Sequence, residues 1–237
     1  MRTPFELQTQ GFWSYICFPP LEASGIFHGF VTRPRGTHLE EKRIEDAISA
    51  FSFQEYLLMN QEHGDTVHII KDGERPRTGD GLLLLESNVA GIIKTADCLP
   101  VILYTLSLPV VAIVHAGWKG TALGIARKAV RQMAAVGIRR ENIGALIGPG
   151  IGPCCYNVQE DVAGVFRGAG YGDPVIERRD DSLFLNLKAA NAEMLKAEGV
   201  NEIHDVGLCT FCREDLFYSA RRDKGQGRQI NFVLVRG

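Results

Sequence analysis

Three residues of types that bind metals or act as nucleophiles stand beside small residues at the ends of apolar runs. They are His63 in Gln61-Glu62-His63-Gly64, Cys98 in Thr95-Ala96-Asp97-Cys98 and His115 in His115-Ala116-Gly117-Trp118. Strand ends are where α/β proteins place chemistry, because the sheet fixes the backbone there while the side chain leaves the packed core. One thiolate with two neutral imidazoles is a borderline-soft donor set that suits zinc and tolerates copper. Three protein ligands leave a fourth position for water or substrate. The same residues also admit a metal-free reading, a Cys98 thiolate paired with a His115 imidazolium as a nucleophile, and a bland one, three unrelated core side chains. Far apart in the chain, they need the fold to bring them together.

Anion-binding groups are fewer. Arg33 interrupts a weakly charged stretch and is a candidate to hold phosphate bidentately, and Lys119, at the start of a helix, adds a point charge. Arg221-Arg222-Asp223-Lys224 and Arg228 sit in glycine-rich surroundings and read as ordinary solvated charge. Asp97 is expected to support its neighbour Cys98. Cys209-Thr210-Phe211-Cys212 has C-x-x-C spacing, but no second such pair completes a four-ligand site, so two thiols flanking a buried turn are expected. The vicinal Cys154-Cys155 pair reads as structural, since adjacent side chains diverge. His28, His38, His68 and His204 read as satisfied or solvated imidazoles.

The elements that must position these residues are short and mixed. Leu82 to Leu85, Val89 to Ile93, Pro100 to Tyr104, Val110 to His115 and Ile143 to Ile147 are apolar or β-branched runs of buried-strand type. Ile203 to Val206 and Asn231 to Val235 read as closing strands. Helical spacing predicts helices over Ile44 to Phe51, from Leu123, after a tight turn at Gly117 to Gly120, to a stop at Gly137, and from an Asn186 cap to a stop at Gly199. Pro19 to His38 and Gly168 to Asp181 look like long loops. No linker, repeat or low-complexity tract divides the chain, so residues 1–237 are expected to form one α/β domain, a mixed β-sheet flanked by helices.

Composition narrows the function further. With 26 Lys and Arg against 28 Asp and Glu, the net charge of −2 excludes a broad electrostatic grip on nucleic acid or an anionic membrane. The glycines of Gly148-Pro149-Gly150-Ile151-Gly152-Pro153 have the wrong spacing for a dinucleotide fingerprint, and no phosphate-loop motif occurs. Without an export signal at the start, a membrane-length apolar run or an Asn-x-Ser/Thr site, the expectation is a cytoplasmic protein with six reduced cysteines, monomeric or homodimeric.

Taken in order, Thr32-Arg33, Gln61-Glu62-His63-Gly64, Asp80-Gly81, Thr95 to Val101, His115 to Gly120, Ile147 to Tyr156 and Arg221-Arg222-Asp223 resemble the multicopper polyphenol oxidase (laccase-domain) family, regarded as purine nucleoside phosphorylases. The resemblance spans nearly the whole chain. It implies a single α/β domain and a zinc site, with copper as the alternative ion, made by His63, Cys98 and His115. It also implies phosphorolysis of adenosine, inosine, guanosine and methylthioadenosine, and hydrolytic deamination of adenosine. Glu62, Pro34-Arg35-Gly36 and Lys119 depart from the family's usual residues, at the rim of the site. A copper-dependent phenol oxidase, which needs several coppers for four-electron oxygen reduction, and a zinc-stabilised interaction module with closed coordination are the alternatives.

Overall fold

The computed structural model describes residues 4–34 and 44–237, so His38 and Arg35-Gly36 lie outside the described residues. In chain order the strands are β1 (Glu6–Gln10), β2 (Trp13–Cys17), β3 (Ile26–Val31), β4 (Glu55–Leu58), β5 (Val67–Ile70), β6 (Gly81–Leu84), β7 (Val89–Thr95) and β8 (Leu99–Tyr104). They continue with β9 (Val111–Ala116), β10 (Gly144–Ile147), β11 (Asn157–Val158), β12 (Ile176–Arg179), β13 (Ser182–Leu185), β14 (Glu202–Asp205) and β15 (Gln229–Val235). The helices are α1 (Pro19–Ala23), α2 (Ile44–Ala50), α3 (Trp118–Leu123), α4 (Ile125–Ala135), α5 (Glu160–Gly168) and α6 (Leu187–Ala197).

These elements build two six-stranded mixed sheets, β1-β2-β3-β15-β7-β4 and β14-β10-β8-β9-β6-β5, and a small sheet β11-β13-β12. Sequence analysis expects one mixed sheet. The chain forms two because β8 and β9 are apolar on both faces and must be covered twice. Along β8, Val101 and Leu103 pack with Ala126, Val130 and Leu195 of the helices, whereas Ile102 and Tyr104 face Phe30, Ile93 and Val233 of the other sheet. Trp13, Ile92 and Phe232 turn to the outer face of that other sheet and meet α2 through Ala47 and Ile48. The order of layers is therefore helix, sheet, sheet, helix. Each fully buried Ile, Leu or Phe there contributes about 1.5–3 kcal/mol relative to exposure.

Register then decides which residues share an end of the second sheet. The β8–β9 pairing sets Leu99 opposite Ala116 and Pro100 opposite His115. The β6–β9 pairing sets Gly81 opposite Val114. Cys98, just before β8, Asp80, just before β6, and His115, near the end of β9, thus emerge side by side.

Three expectations change. The stretch from Pro19 is not a loop: Pro19 and Pro20 open α1, where a missing amide costs nothing, and β3 follows with its Phe27, Phe30 and Val31 packed. Within Gly168 to Asp181, residues Ile176–Arg179 form β12, a charged strand whose composition hides it. The expected tight turn after Gly117 is instead a helix, α3, separated from α4 by Gly124, whose φ of 85° is a left-handed conformation that glycine adopts without a Cβ clash. The Asn186 cap is present, its side chain accepting from the Ala189 amide at 3.1 Å.

Candidate metal centre

His63, Cys98 and His115 come together, each offering a ligand atom within 4.8 Å of the others. The group is organised by Asp80, which is 1% exposed. Its Oδ1 is 2.8 Å from His115 Nδ1 and accepts from the His63 amide at 2.9 Å, while Oδ2 accepts from the amides of Gly64 at 2.8 Å and Glu62 at 3.2 Å. One carboxylate therefore shapes the loop that presents His63 and fixes the ring of His115, leaving His115 Nε2 to coordinate. The three amide bonds also compensate the φ of 60° at His63, a costly conformation for a residue with a Cβ.

Electrostatics prepare the ligands. Burial acts to raise Asp80, but His115 and the amides of Gly64 and Glu62 overcome it and hold the carboxyl below its ordinary value. Burial likewise pushes the Cys98 thiol up, and the His115 and His63 imidazoles outweigh it, bringing the group down to about 7. His115 is lowered by burial and raised more strongly by Asp80 and Cys98, to about 9. An anionic sulfur beside two imidazoles fits a divalent cation by donor chemistry. Space is also matched: a Cβ at Gly117 would lie 3.0 Å from Cys98 Sγ and 3.4 Å from the His63 ring.

The three candidate ligands line one cleft of about 1030 Å³, large enough for a nucleoside. His115 is buried, Cys98 half-buried and His63 exposed, so the open side of the trio faces the cleft. The same cleft is lined by Tyr156, Tyr218, Lys94, Arg221 and Arg228.

The sequence profile of the family described as multi-copper polyphenol oxidoreductase laccase matches residues 36–236. The chain belongs to this family. A protein of Deinococcus radiodurans named purine nucleoside phosphorylase is 39% identical to this laccase-family chain over 202 residues, covering 85% of it and 78% of that relative. The solved structure of YlmD from Geobacillus stearothermophilus superposes with a TM-score of 0.87 at 27% identity, covering 99% of this chain and 100% of that one. A Bacillus licheniformis protein, YfiH, gives a TM-score of 0.86 at 28% identity, over 98% and 99% of the two chains.

Of the other residues singled out in this laccase-family sequence, Asp97 lines the cleft, whereas Arg33 and Lys119 are not among its lining residues. Arg33 donates to the Glu214 carbonyl at 3.1 Å and lies 5.1 Å from the centre of the Tyr218 ring, so it reaches the cleft through Tyr218. Lys119 Nζ stands 5.6 Å from the centre of the Trp118 ring. The Asp97 carboxylate supports the loop leading to β15, accepting from Thr210 Oγ1 at 2.6 Å, Ser219 Oγ at 3.0 Å and the Arg221 amide at 2.8 Å. It positions the cleft wall. Sequence reasoning gave Asp80 no role of its own and took Arg221 for solvated charge. A carboxylate beside a glycine ahead of an apolar run was the available signal for Asp80.

The two cysteine pairs, expected to be separate, lie together: Cys154, Cys155, Cys209 and Cys212 place their sulfurs within 4.8 Å of one another. Adjacent side chains diverge in an extended chain, but the amides of Cys155 and Tyr156 both bond to the Gly152 carbonyl, at 3.0 and 2.9 Å. This turn brings both thiols to one side.

Proposed function

We propose that the chain is a zinc-dependent purine nucleoside phosphorylase acting on adenosine, inosine, guanosine and methylthioadenosine, with hydrolytic deamination of adenosine as a second activity of the same cleft. The observation that carries the reading is the convergence of His63, Cys98 and His115 at the floor of a nucleoside-sized cleft walled by tyrosines and guanidinium groups. The names of its relatives point the same way. Zinc is the ion favoured by one thiolate and two imidazoles, with copper tolerated. When bound, it supplies Lewis acidity beside the substrate.

The protein's own groups account for the rest. In phosphorolysis a phosphate oxygen bonds to C1′ of the sugar as the C1′–N9 bond breaks, and the base leaves with that electron pair and takes up a proton. The Arg221 and Arg228 guanidinium groups, with Lys94, hold the phosphate dianion and offset its charge as it approaches. Arg33, by backing Tyr218, and Lys119 add positive potential around this wall. The Tyr156 and Tyr218 rings offer apolar faces to the purine. Asp80 keeps the His115 Nδ1 proton in place, so that ring meets the cation in one tautomer only. Six free cysteines fit a reducing compartment, and we place the enzyme in the cytoplasm.

The test is release of free base from inosine or adenosine with and without orthophosphate, using protein cleared of host phosphorylase. Base release that needs phosphate and yields sugar 1-phosphate, lost about a hundredfold or more in Cys98→Ala, supports the reading. Full turnover in Cys98→Ala defeats it.

A further inference from the structure

We propose that Cys154, Cys155, Cys209 and Cys212 form a second metal site, a closed four-thiolate centre for zinc, separate from the trio in the cleft. Four sulfurs around one zinc at about 2.3 Å stand roughly 3.8 Å apart along the edges of a tetrahedron. Here Cys155 Sγ and Cys212 Sγ are 3.3 Å apart, Cys154 Sγ and Cys212 Sγ 3.6 Å apart, and all four lie within 4.8 Å of one another. Four thiols do not crowd to this distance for packing alone, since two of them, Cys154 and Cys212, are exposed and have no core to fill.

The backbone around the sulfurs is shaped for anionic ligands. Cys209 Sγ accepts from the Gly152 amide at 3.2 Å and also from the amide of Cys212, three residues on. Amides aimed at a sulfur from both neighbouring turns stabilise a thiolate. Two guanidinium groups grip the same turns, Arg179 through the Pro153 carbonyl at 3.1 Å and Arg222 through the carbonyls of Thr210 and Phe211 at 2.9 Å each. Each is itself ion-paired, Arg179 with Glu177 at 2.6 Å and Arg222 with Asp223 at 2.7 Å, so their part is to hold the two turns in place.

The location gives the centre its consequence. The segment with Cys154 and Cys155 also carries Ile151 and Tyr156 into the cleft, and the segment with Cys209 and Cys212 leads to Tyr218 and Arg221. A short backbone bridge, Gly150 to Cys209, joins the two segments. A zinc ion binding both would tie together two segments that line the same cleft as His63, Cys98 and His115. With no position left open, its part is to hold the wall rather than to touch substrate.

The experiment is metal analysis of the untagged, reduced protein, reconstituted with excess zinc and desalted. The expected result is about two zinc per chain, falling to about one in Cys154→Ser and in Cys212→Ser, and also to about one in Cys98→Ala. Should the serine variants fail to fold, the cobalt-substituted Cys98→Ala protein reads the same site, its strong thiolate-to-cobalt absorption reporting an all-sulfur tetrahedral centre. One zinc in wild type that a folded Cys212→Ser protein retains overturns the proposal, whether six free thiols are found after denaturation, an empty cluster, or four with a mass lower by two hydrogens, a disulfide. Two zinc retained in a folded Cys212→Ser protein, or cobalt-loaded Cys98→Ala without that absorption, overturns it as well.

Discussion

Asp80 Oδ1 stands 2.8 Å from His115 Nδ1 in a place where both side chains are almost wholly buried, and through this pair the loop carrying His63 and the strand carrying His115 are referred to one carboxylate. The consequence is preorganisation: the two imidazoles proposed as ligands, from distant segments, are held in place by the protein alone.

Asp80→Asn keeps the size and removes the charge. An amide cannot serve three backbone donors and an imidazole equally well, so zinc affinity is expected to fall about 10–100-fold, read by competition against a chelator of known affinity. Unchanged affinity would mean that Asp80 only packs.

Gly117→Ala tests the fit around the sulfur. The added methyl would sit 3.0 Å from Cys98 Sγ, and the strain of such overpacking costs about 1–3 kcal/mol. Reduced zinc content with the fold retained, by metal analysis and circular dichroism, is the expected result; full occupancy would show that the site has slack.

Arg221→Ala removes a guanidinium from the cleft wall while its backbone amide remains available to Asp97. Losing one charged hydrogen bond to a dianion is worth about 1.5–3 kcal/mol. The KM for phosphate should therefore rise tenfold or more, with the nucleoside KM moving less, in initial-rate kinetics.

His28 predicts an acid sensitivity unrelated to the cleft. It is fully buried in β3, its Nε2 accepts from the Phe18 amide at 2.9 Å, and its Nδ1 donates to the Ile26 carbonyl at 3.2 Å. Burial lowers it from 6.5 to about 4, with the Ile26 bond opposing. The unfolded chain thus takes up the proton first. Stability is complete above about pH 6.5 and is lost as the pH falls toward 4, on the order of 3 kcal/mol from this group. Urea unfolding at pH 7 and pH 4.5 should show a smaller difference in His28→Asn than in wild type.

The sequence made the centre of the second sheet legible because β8 and β9 are continuous apolar runs, and the convergence of His63, Cys98 and His115 legible because small residues surround them at the ends of apolar runs. What it hid follows from the same physics. β1, Glu6–Gln10, is an edge strand exposed along most of its length, so no alternation marks it. Asp80 is ordinary in sequence, since its four partners, from His115 to the amides of Glu62 to Gly64, are brought to it by the fold. Cys154 and Cys155 were unreadable as ligands because their common direction depends on a turn closed on Gly152.

The central claim is that His63, Cys98 and His115 hold one ion with a coordination position open to the cleft. Diffraction at the zinc absorption edge, on crystals of active enzyme soaked with a nucleoside, tests it most directly. The account predicts an anomalous peak about 2.0–2.3 Å from one atom of each of the three side chains, with the nucleoside on its open side. Active enzyme with no peak among them, or with a fourth protein side chain closing the coordination, would contradict it.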